Sequence, residues 1–314
     1  MSGRSFRQTL FTVVVLCIAY FLWTKVPYNR AYFVYLLGSY LIGFLVIRSR
    51  GEDPRQMFSK SVWFHETSRN EAYLIIITFL SWSLIISNVA VFSSVPFSNF
   101  LHMVFHKFDL PALTTTPSVL SGVIYIVASV FAYEASYYFS HRLLHGSKTL
   151  WEFHKVHHSA QVMTPFTSLR QHPVELMFNT LVSAVFIGSV SAVFFYFYPS
   201  VPSLIVIVDS NVVLATFFLL GGSLAHSHVW LSWGRLNRYI ISPAMHQIHH
   251  SDNPRHFDKN FGLMLTCFDR WFGTAYLPEE KEDLVFGLGE QEDQKFVDLK
   301  GALVAPFVRA ITRD

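Results

Sequence analysis

Charge is scarce in this chain. Lys, Arg, Asp and Glu make up 14% of its 314 residues, against roughly 25% in an ordinary soluble domain, while 52% are hydrophobic and 17% aromatic. That balance excludes a water-soluble globule and reads as an integral membrane protein. Net charge is only +3, and the basic residues sit beside apolar runs, not in a stripe interleaved with aromatics, so nucleic acid is excluded as a partner. Cysteine is nearly absent: Cys17 lies in the first apolar run and Cys267 far downstream. Two isolated thiols support neither a disulfide framework nor thiolate ligation of zinc, an iron–sulfur cluster or haem. The chain also lacks a Gly-x-Gly-x-x-Gly dinucleotide fingerprint and the His-Glu-x-x-His pattern of metalloproteases. Any metal here is held by nitrogen, with oxygen at most an accessory.

What is present in quantity is apolar sequence. The stretches Leu10 to Val26, Ala31 to Ile47, Ala72 to Phe92 and Val119 to Ser140 are each close to the roughly 20 residues that cross a bilayer. The first follows Arg4 and Arg7 like a signal peptide, but it is long and has no small-residue cleavage site, so it reads as a retained membrane helix. Between the second and third stretches lie Arg48, Arg50, Arg55, Lys60 and Arg69, whereas Ser93 to Pro117 carries only Lys107. The positive-inside tendency then places both ends of this four-span unit in the cytoplasm. A second block, Leu176 to Ala225, has no Lys or Arg and is broken at Tyr198-Pro199-Ser200-Val201-Pro202. It reads as a helical hairpin, spanning or re-entrant, that returns the chain to the same side. Inside it, Asp209 is an intramembrane acid and a functional-site candidate, with capping or pairing to Asn211 as the alternative. Beyond Ser251 polarity rises, and Glu279, Glu280, Lys281, Glu282 and Asp283 mark a solvated tail.

Histidine is the other excess. Twelve of the 15 lie between His141 and His256, and nine of these are the clusters His141-Arg-Leu-Leu-His145, His154-Lys-Val-His157-His158 and His246-Gln-Ile-His249-His250 together with the isolated His226. Residues three and four apart share one face of a helix, so each cluster projects its imidazoles to one side. Imidazole is costly to bury unpaired and is the commonest ligand for first-row transition metals. Nine donors are about twice what one zinc ion needs, and two metals are the natural reading. His102 and His106 copy the first spacing but fall on the opposite side of the membrane, and with His65 they read as structural. His228 and His256 are open between support of the ligands and plain surface roles.

The run from Glu134 to Gly146, the segment Trp151-Glu-Phe-His-Lys-Val-His-His-Ser159, and Ser242-Pro-Ala-Met-His-Gln-Ile-His-His-Ser251 with Asp258-Lys-Asn-Phe-Gly262 and Asp269-Arg-Trp-Phe-Gly273 resemble the fatty acid hydroxylase and sterol desaturase superfamily. The resemblance covers about residues 120 to 280. It implies an integral-membrane non-haem di-iron enzyme that uses O2 to hydroxylate or desaturate a lipid. The implied ligands are His141, His145, His154, His157, His158, His226, His246, His249 and His250. They would hold two iron ions, with zinc as a substitute after purification, and the di-iron centre itself would be the catalytic group. His172, in Gln171-His172-Pro173-Val174-Glu175, matches a segment of sterol-modifying members and stands as a ligand or a supporting group. Asp258 is a further supporting candidate, as is Glu134, which either orients an imidazole through a carboxylate hydrogen bond or pairs with Arg142.

Such chemistry needs electrons that nothing in the chain stores, so a separate donor on the cytoplasmic side is expected, and the Leu176 to Ala225 block is expected to wall a tunnel for a lipid entering from the bilayer. The expected architecture is an all-α integral membrane bundle, about four spans plus the hairpin, with a histidine-rich cytoplasmic cap. Residues 1–117 would be N-terminal membrane helices, 118–280 the fatty acid hydroxylase-like catalytic domain and 281–314 a polar C-terminal tail. From a different class, a membrane metal transporter would spread its ligands through the spans at depth, whereas these clusters flank them.

Overall fold

A computed structural model describes residues 27–81, 87–109, 119–198, 213–214 and 216–312. The expected span at Leu10 to Val26, the turn from Pro199 to Pro202, and Asp209 with Asn211 lie outside these. Among the described residues the chain is helical, without strands, and carries two isolated bridges, Ile240 with Leu265 and Ser251 with Phe286. The principal helices are α1 (Pro27–Ser49), α2 (Glu66–Ser81), α3 (Ser87–Lys107), α4 (Val119–Gly146), α5 (Lys148–His158), α6 (Pro173–Phe197), α7 (Pro243–His249), α8 (Cys267–Trp271) and α9 (Leu299–Thr312).

Two stretches among the described residues are long and apolar enough to cross a membrane, Leu120–Gly146 of α4 and Pro173–Phe194 of α6. α1 contributes a shorter apolar stretch, Val34–Ser49, and the expected third span falls across the end of α2 and the start of α3. α4 and α6 lie side by side and antiparallel. Tyr125 meets Phe194 at 4.7 Å between ring centroids, and Phe139 stacks on Phe186 at 6.0 Å. α4 has 28 residues, about 42 Å at 1.5 Å per residue, which exceeds the roughly 30 Å hydrocarbon core. Its last turns, with His141 and His145, therefore extend past an apolar layer that its first turns can span.

At the other end of α6, His102 and His106 pack edge-on against Tyr196 at 5.5 and 5.0 Å. That position is about 30 Å along the helix from Glu175, so the pair is structural and remote from the other clusters.

Residues 281–312 are not a loose solvated tail. Leu299, Ala302 and Ala305 of α9 pack with Leu74, Val156 and Phe296, and Phe307 meets Phe153 of α5 at 5.1 Å. Arg309 bridges Glu152 (2.6 Å) and Glu292 (2.7 Å), and Lys155 bridges the same two carboxylates at 2.6 and 3.3 Å. Glu279, Glu280, Lys281 and Asp283 are exposed; the inward contacts are made by Glu292 and Arg309, against the histidine-bearing helix α5.

Candidate metal centre

Local sequence explains how the three clusters meet. α4 stops at Gly146, and Ser147 caps α5 by accepting a hydrogen bond from Leu150 N at 3.4 Å. The chain thus reverses onto α4 and turns His154, His157 and His158 toward His141 and His145. Ser242 and Pro243 start α7 in the same manner, the Ser242 hydroxyl accepting from Met245 N at 3.3 Å, which is a favoured helix start. Eight of the nine histidines are under a tenth exposed; His145 is half-buried as a residue, though its side chain is only 9% exposed.

The nine resolve into two groups, His141, His145, His154, His158 and His249 in one, and His157, His226, His246 and His250 in the other, with the ligating atoms of each group within 4.8 Å of one another. The groups adjoin, since His157 and His158 are neighbours in sequence and His158 stacks on His250 at 4.4 Å.

Two observations test whether these side chains suit a metal. In the five-histidine group every Nε2 is buried without a hydrogen-bond partner, whereas most of the Nδ1 atoms face fixed oxygens. His141 Nδ1 lies 3.0 Å from Phe261 O and His249 Nδ1 2.7 Å from Lys259 O. His154 Nδ1 is 3.0 Å from Glu175 Oε1, an ion-pair distance without hydrogen-bond alignment. Oxygen partners hold the proton on Nδ1 and leave the Nε2 lone pairs directed inward, as in ligating histidines.

In the four-histidine group the Nε2 atoms run in a chain, His157 to His226 at 3.0 Å, His226 to His246 at 2.9 Å and His246 to His250 at 3.2 Å. A ring nitrogen has either one proton or one lone pair, so at most two of these three contacts are hydrogen bonds. Two nitrogens bound at right angles to one cation at about 2.1 Å lie about 3.0 Å apart, which accounts for all three. Burial, reinforced by the adjacent imidazoles, brings His157 to about 3 and His246 to about 4 and holds His154, His158, His226, His249 and His250 well below the ordinary histidine range. All seven are neutral near pH 7, the form a metal requires. The donor set fits two nitrogen-ligated cations.

The loop after α7 supplies the carbonyls. Asp258 and Asn260 adopt φ of 57° and 56°, left-handed values that non-glycine residues rarely take. The Asn260 side chain, fully buried, donates to Met245 O and Tyr276 O and accepts from Tyr276 N, which holds the strained turn in place. Two buried carboxylates then take four consecutive amides: Asp269 accepts from Phe261 N and Gly262 N, and Glu134 from Leu263 N and Met264 N, at 2.8 to 3.1 Å. A Cβ at Gly262 would come within 2.9 Å of Asp269 Oδ2, so only glycine admits this close approach.

Glu134 therefore neither touches an imidazole nor pairs with Arg142, whose Nη1 instead donates to Tyr138 OH. It fixes the strand of loop whose Phe261 carbonyl faces His141. His172 lies outside both groups. It caps α6 by accepting from Val174 N at 3.1 Å, and its other nitrogen lies 3.2 Å from Leu303 O, leaving no lone pair for a metal. In that same segment the residue that reaches the centre is Glu175. His228 sits against Gln56 O, away from the groups, and His256 against Glu282. Asp258 is 3.6 Å from His145 Nδ1, beside the centre but beyond hydrogen-bond range.

Arg170 is the supporting residue with no signal in the sequence. It is fully buried, and its guanidinium donates to Val156 O (2.8 Å), Ser159 Oγ (2.9 Å), Phe296 O (3.3 Å) and Thr67 O (3.4 Å), fastening the last turn of α5 to α2 and the C-terminal segment.

Cavities approach from two sides. One of about 540 Å³ borders His145, His158 and His249, with Lys155, Asp258 and Glu292 as well as Trp151 and Phe257 in its wall. The other, about 430 Å³, borders His157, His226 and His246 and is lined largely by apolar side chains, among them Leu169, Phe217, Phe218 and Leu263. The end of the Leu176 to Ala225 block does form part of this wall.

Fold and site together define a helical membrane protein with a nine-histidine candidate metal centre. Residues 126–274, just under half of the chain, match the fatty acid hydroxylase family, so the chain carries a fatty acid hydroxylase domain. It is 31% identical to an alkylglycerol monooxygenase of Danio rerio over 49% of this chain and 31% of that protein. It is 27% identical to a Delta(7)-sterol 5(6)-desaturase of Candida glabrata over 59% of this chain and 44% of that protein, and 25% identical to an ornithine lipid hydroxylase of Rhizobium tropici over 59% and 50%. The chain thus spans about a third to a half of the length of these relatives. No solved structure gives a significant match.

Proposed function

We propose that this chain is a membrane-bound non-haem di-iron oxygenase that hydroxylates a C–H bond of a lipid, with O2 as co-substrate and electrons from a separate donor docking on the cytoplasmic side, where the site faces. The observation that carries the reading is the convergence of nine imidazoles into two adjoining groups, one of which borders an apolar cavity. The nine histidines would be the ligands of two iron ions, which zinc can replace. Iron so bound would supply the activation of O2 that no side chain can provide.

The protein's own part is positional. Phe261 O and Lys259 O fix the imidazole planes of His141 and His249, with Glu175 beside His154, and such outer partners raise ligand basicity and hold the tautomer. Leu169, Phe217, Phe218 and Leu263 exclude water from the side on which an alkyl chain would lie, and a dry wall protects a strong oxidant from side reactions. The cavity beside His145 and His158, with Lys155, Asp258 and Glu292 in its wall, would serve as a separate route for water and protons.

The sterol desaturase relative favours a second reading, removal of two hydrogens at the same site. Membranes containing the protein, incubated under 18O2 with a reductant, distinguish them by lipid mass spectrometry. A lipid that gains one 18O supports hydroxylation, and one that loses two hydrogens without label assigns desaturation. No oxidised lipid, together with zinc uptake into sealed vesicles, would overturn both in favour of a transporter.

A further inference from the structure

The apolar cavity carries a feature that a hydrocarbon occupant does not explain. α4 places Tyr133 and Tyr137 on its wall, one helical turn apart. Three tyrosine hydroxyls elsewhere are paired within the chain: Tyr138 with Thr274 at 3.0 Å, Tyr125 with Ser191 at 3.3 Å and Tyr276 with Glu282 at 3.0 Å. The main-chain carbonyls of Tyr133 and Tyr137 accept from Ser136 and Ser140, but neither hydroxyl has a hydrogen-bond partner among the described residues. Both side chains are half-buried and line the cavity, and a phenol hydroxyl bordering a largely apolar cavity is best satisfied by a polar group of whatever fills it. Phenylalanine would supply the same ring surface without that need.

We infer that Tyr133 and Tyr137 recognise an oxygen atom of the bound lipid, a hydroxyl, ether or carbonyl group, and that this contact decides which stretch of the lipid lies against the histidines. The inference rests on the cavity being the substrate site proposed above. The Tyr137 ring is 5.4 Å from the His141 ring, and Tyr133 stands one turn, about 5.4 Å, farther along α4. An oxygen held there puts the carbons flanking it, not the end of an alkyl chain, nearest to His157, His226 and His246, which line the same cavity. The selected substrate class is an oxygen-bearing lipid oxidised close to its oxygen.

The test is equilibrium binding of radiolabelled 1-hexadecanol and of hexadecane to the metal-loaded, full-length protein in nanodiscs, for the native chain and for Tyr133→Phe and Tyr137→Phe separately. Each replacement is expected to weaken hexadecanol binding about fivefold, the effect of one lost hydrogen bond, with hexadecane binding unchanged. Equal losses for both probes, no loss for either, or no hexadecanol binding by the native chain would overturn the inference. Each variant removes a single oxygen atom, and either one alone suffices if the other does not fold. The readout needs no turnover. A chain that oxidises no lipid yet shows the tyrosine-dependent preference would refute the oxygenase reading while leaving the recognition role intact.

Discussion

Replacing Arg170 is the sharpest probe of how the centre is held. The residue is fully buried and donates four hydrogen bonds, two of them short: to Val156 O at 2.8 Å and Ser159 Oγ at 2.9 Å. Val156 immediately precedes His157 and His158, so the guanidinium fixes the backbone of the turn that delivers one imidazole to each group. In Arg170→Met the aliphatic stem is largely retained, but two buried acceptors, the Val156 carbonyl and the Ser159 hydroxyl, each lose a donor, at about 1–3 kcal/mol for each strongly bonded one. Counting the two short bonds gives about 2–6 kcal/mol, offset in part because a buried cation no longer has to be desolvated, and we expect a net loss of about 3 kcal/mol. At roughly 2–4 °C per kcal/mol for a domain of this size, the melting temperature in detergent should fall by about 6–12 °C, and bound metal should drop with it. Arg170→Lys keeps the charge but cannot serve acceptors in a forked arrangement, so it should lose nearly as much. A lysine variant that matches the native chain in both melting temperature and metal content would refute the reasoning.

Two further outcomes follow from the same geometry. Glu175→Leu removes the carboxylate 3.0 Å from His154 Nδ1, and metal affinity at the five-histidine group should fall about 10- to 100-fold, measured by competition with a chromogenic chelator, while the four-histidine group keeps its ion. The metal-free protein should lose stability as pH falls. His157 and His246 are depressed to about 3 and about 4 by burial, below the ordinary value of about 6.5, so the unfolded chain binds protons that the folded chain refuses. Stability is full above about pH 6.5 and declines as pH drops toward 4 and then 3. Chemical denaturation between pH 8 and pH 4 checks this, and a flat profile would contradict the buried, neutral state of these rings.

Much of the site was legible because its chemistry is written in spacing. Helical periodicity alone puts His141 with His145 and His246 with His249 and His250 on common faces, and Ser147 and Ser242 are readable helix starts. The division into five and four was not legible, since it separates His157 from His158, adjacent residues whose side chains diverge by a hundred degrees around α5. His172 stands as a candidate through its segment's likeness to sterol-modifying members, but Pro173 after it makes it a helix cap, and Glu175 one turn on reaches the centre instead. Arg170 left no trace because its partners are backbone oxygens distant in sequence. The C-terminal segment misled because the charge run from Glu279 to Asp283 precedes α9, whose apolar face and Arg309 dock on α5.

The central claim is that the nine imidazoles hold two ions in separate groups. Metal analysis of the purified full-length protein by inductively coupled plasma mass spectrometry, with His226→Ala alongside, tests it most directly. Two metals per chain in the native protein and one in the variant is the expected result, because His226 belongs only to the four-histidine group. A native stoichiometry of one, or a variant that keeps both ions at undiminished affinity, would contradict it.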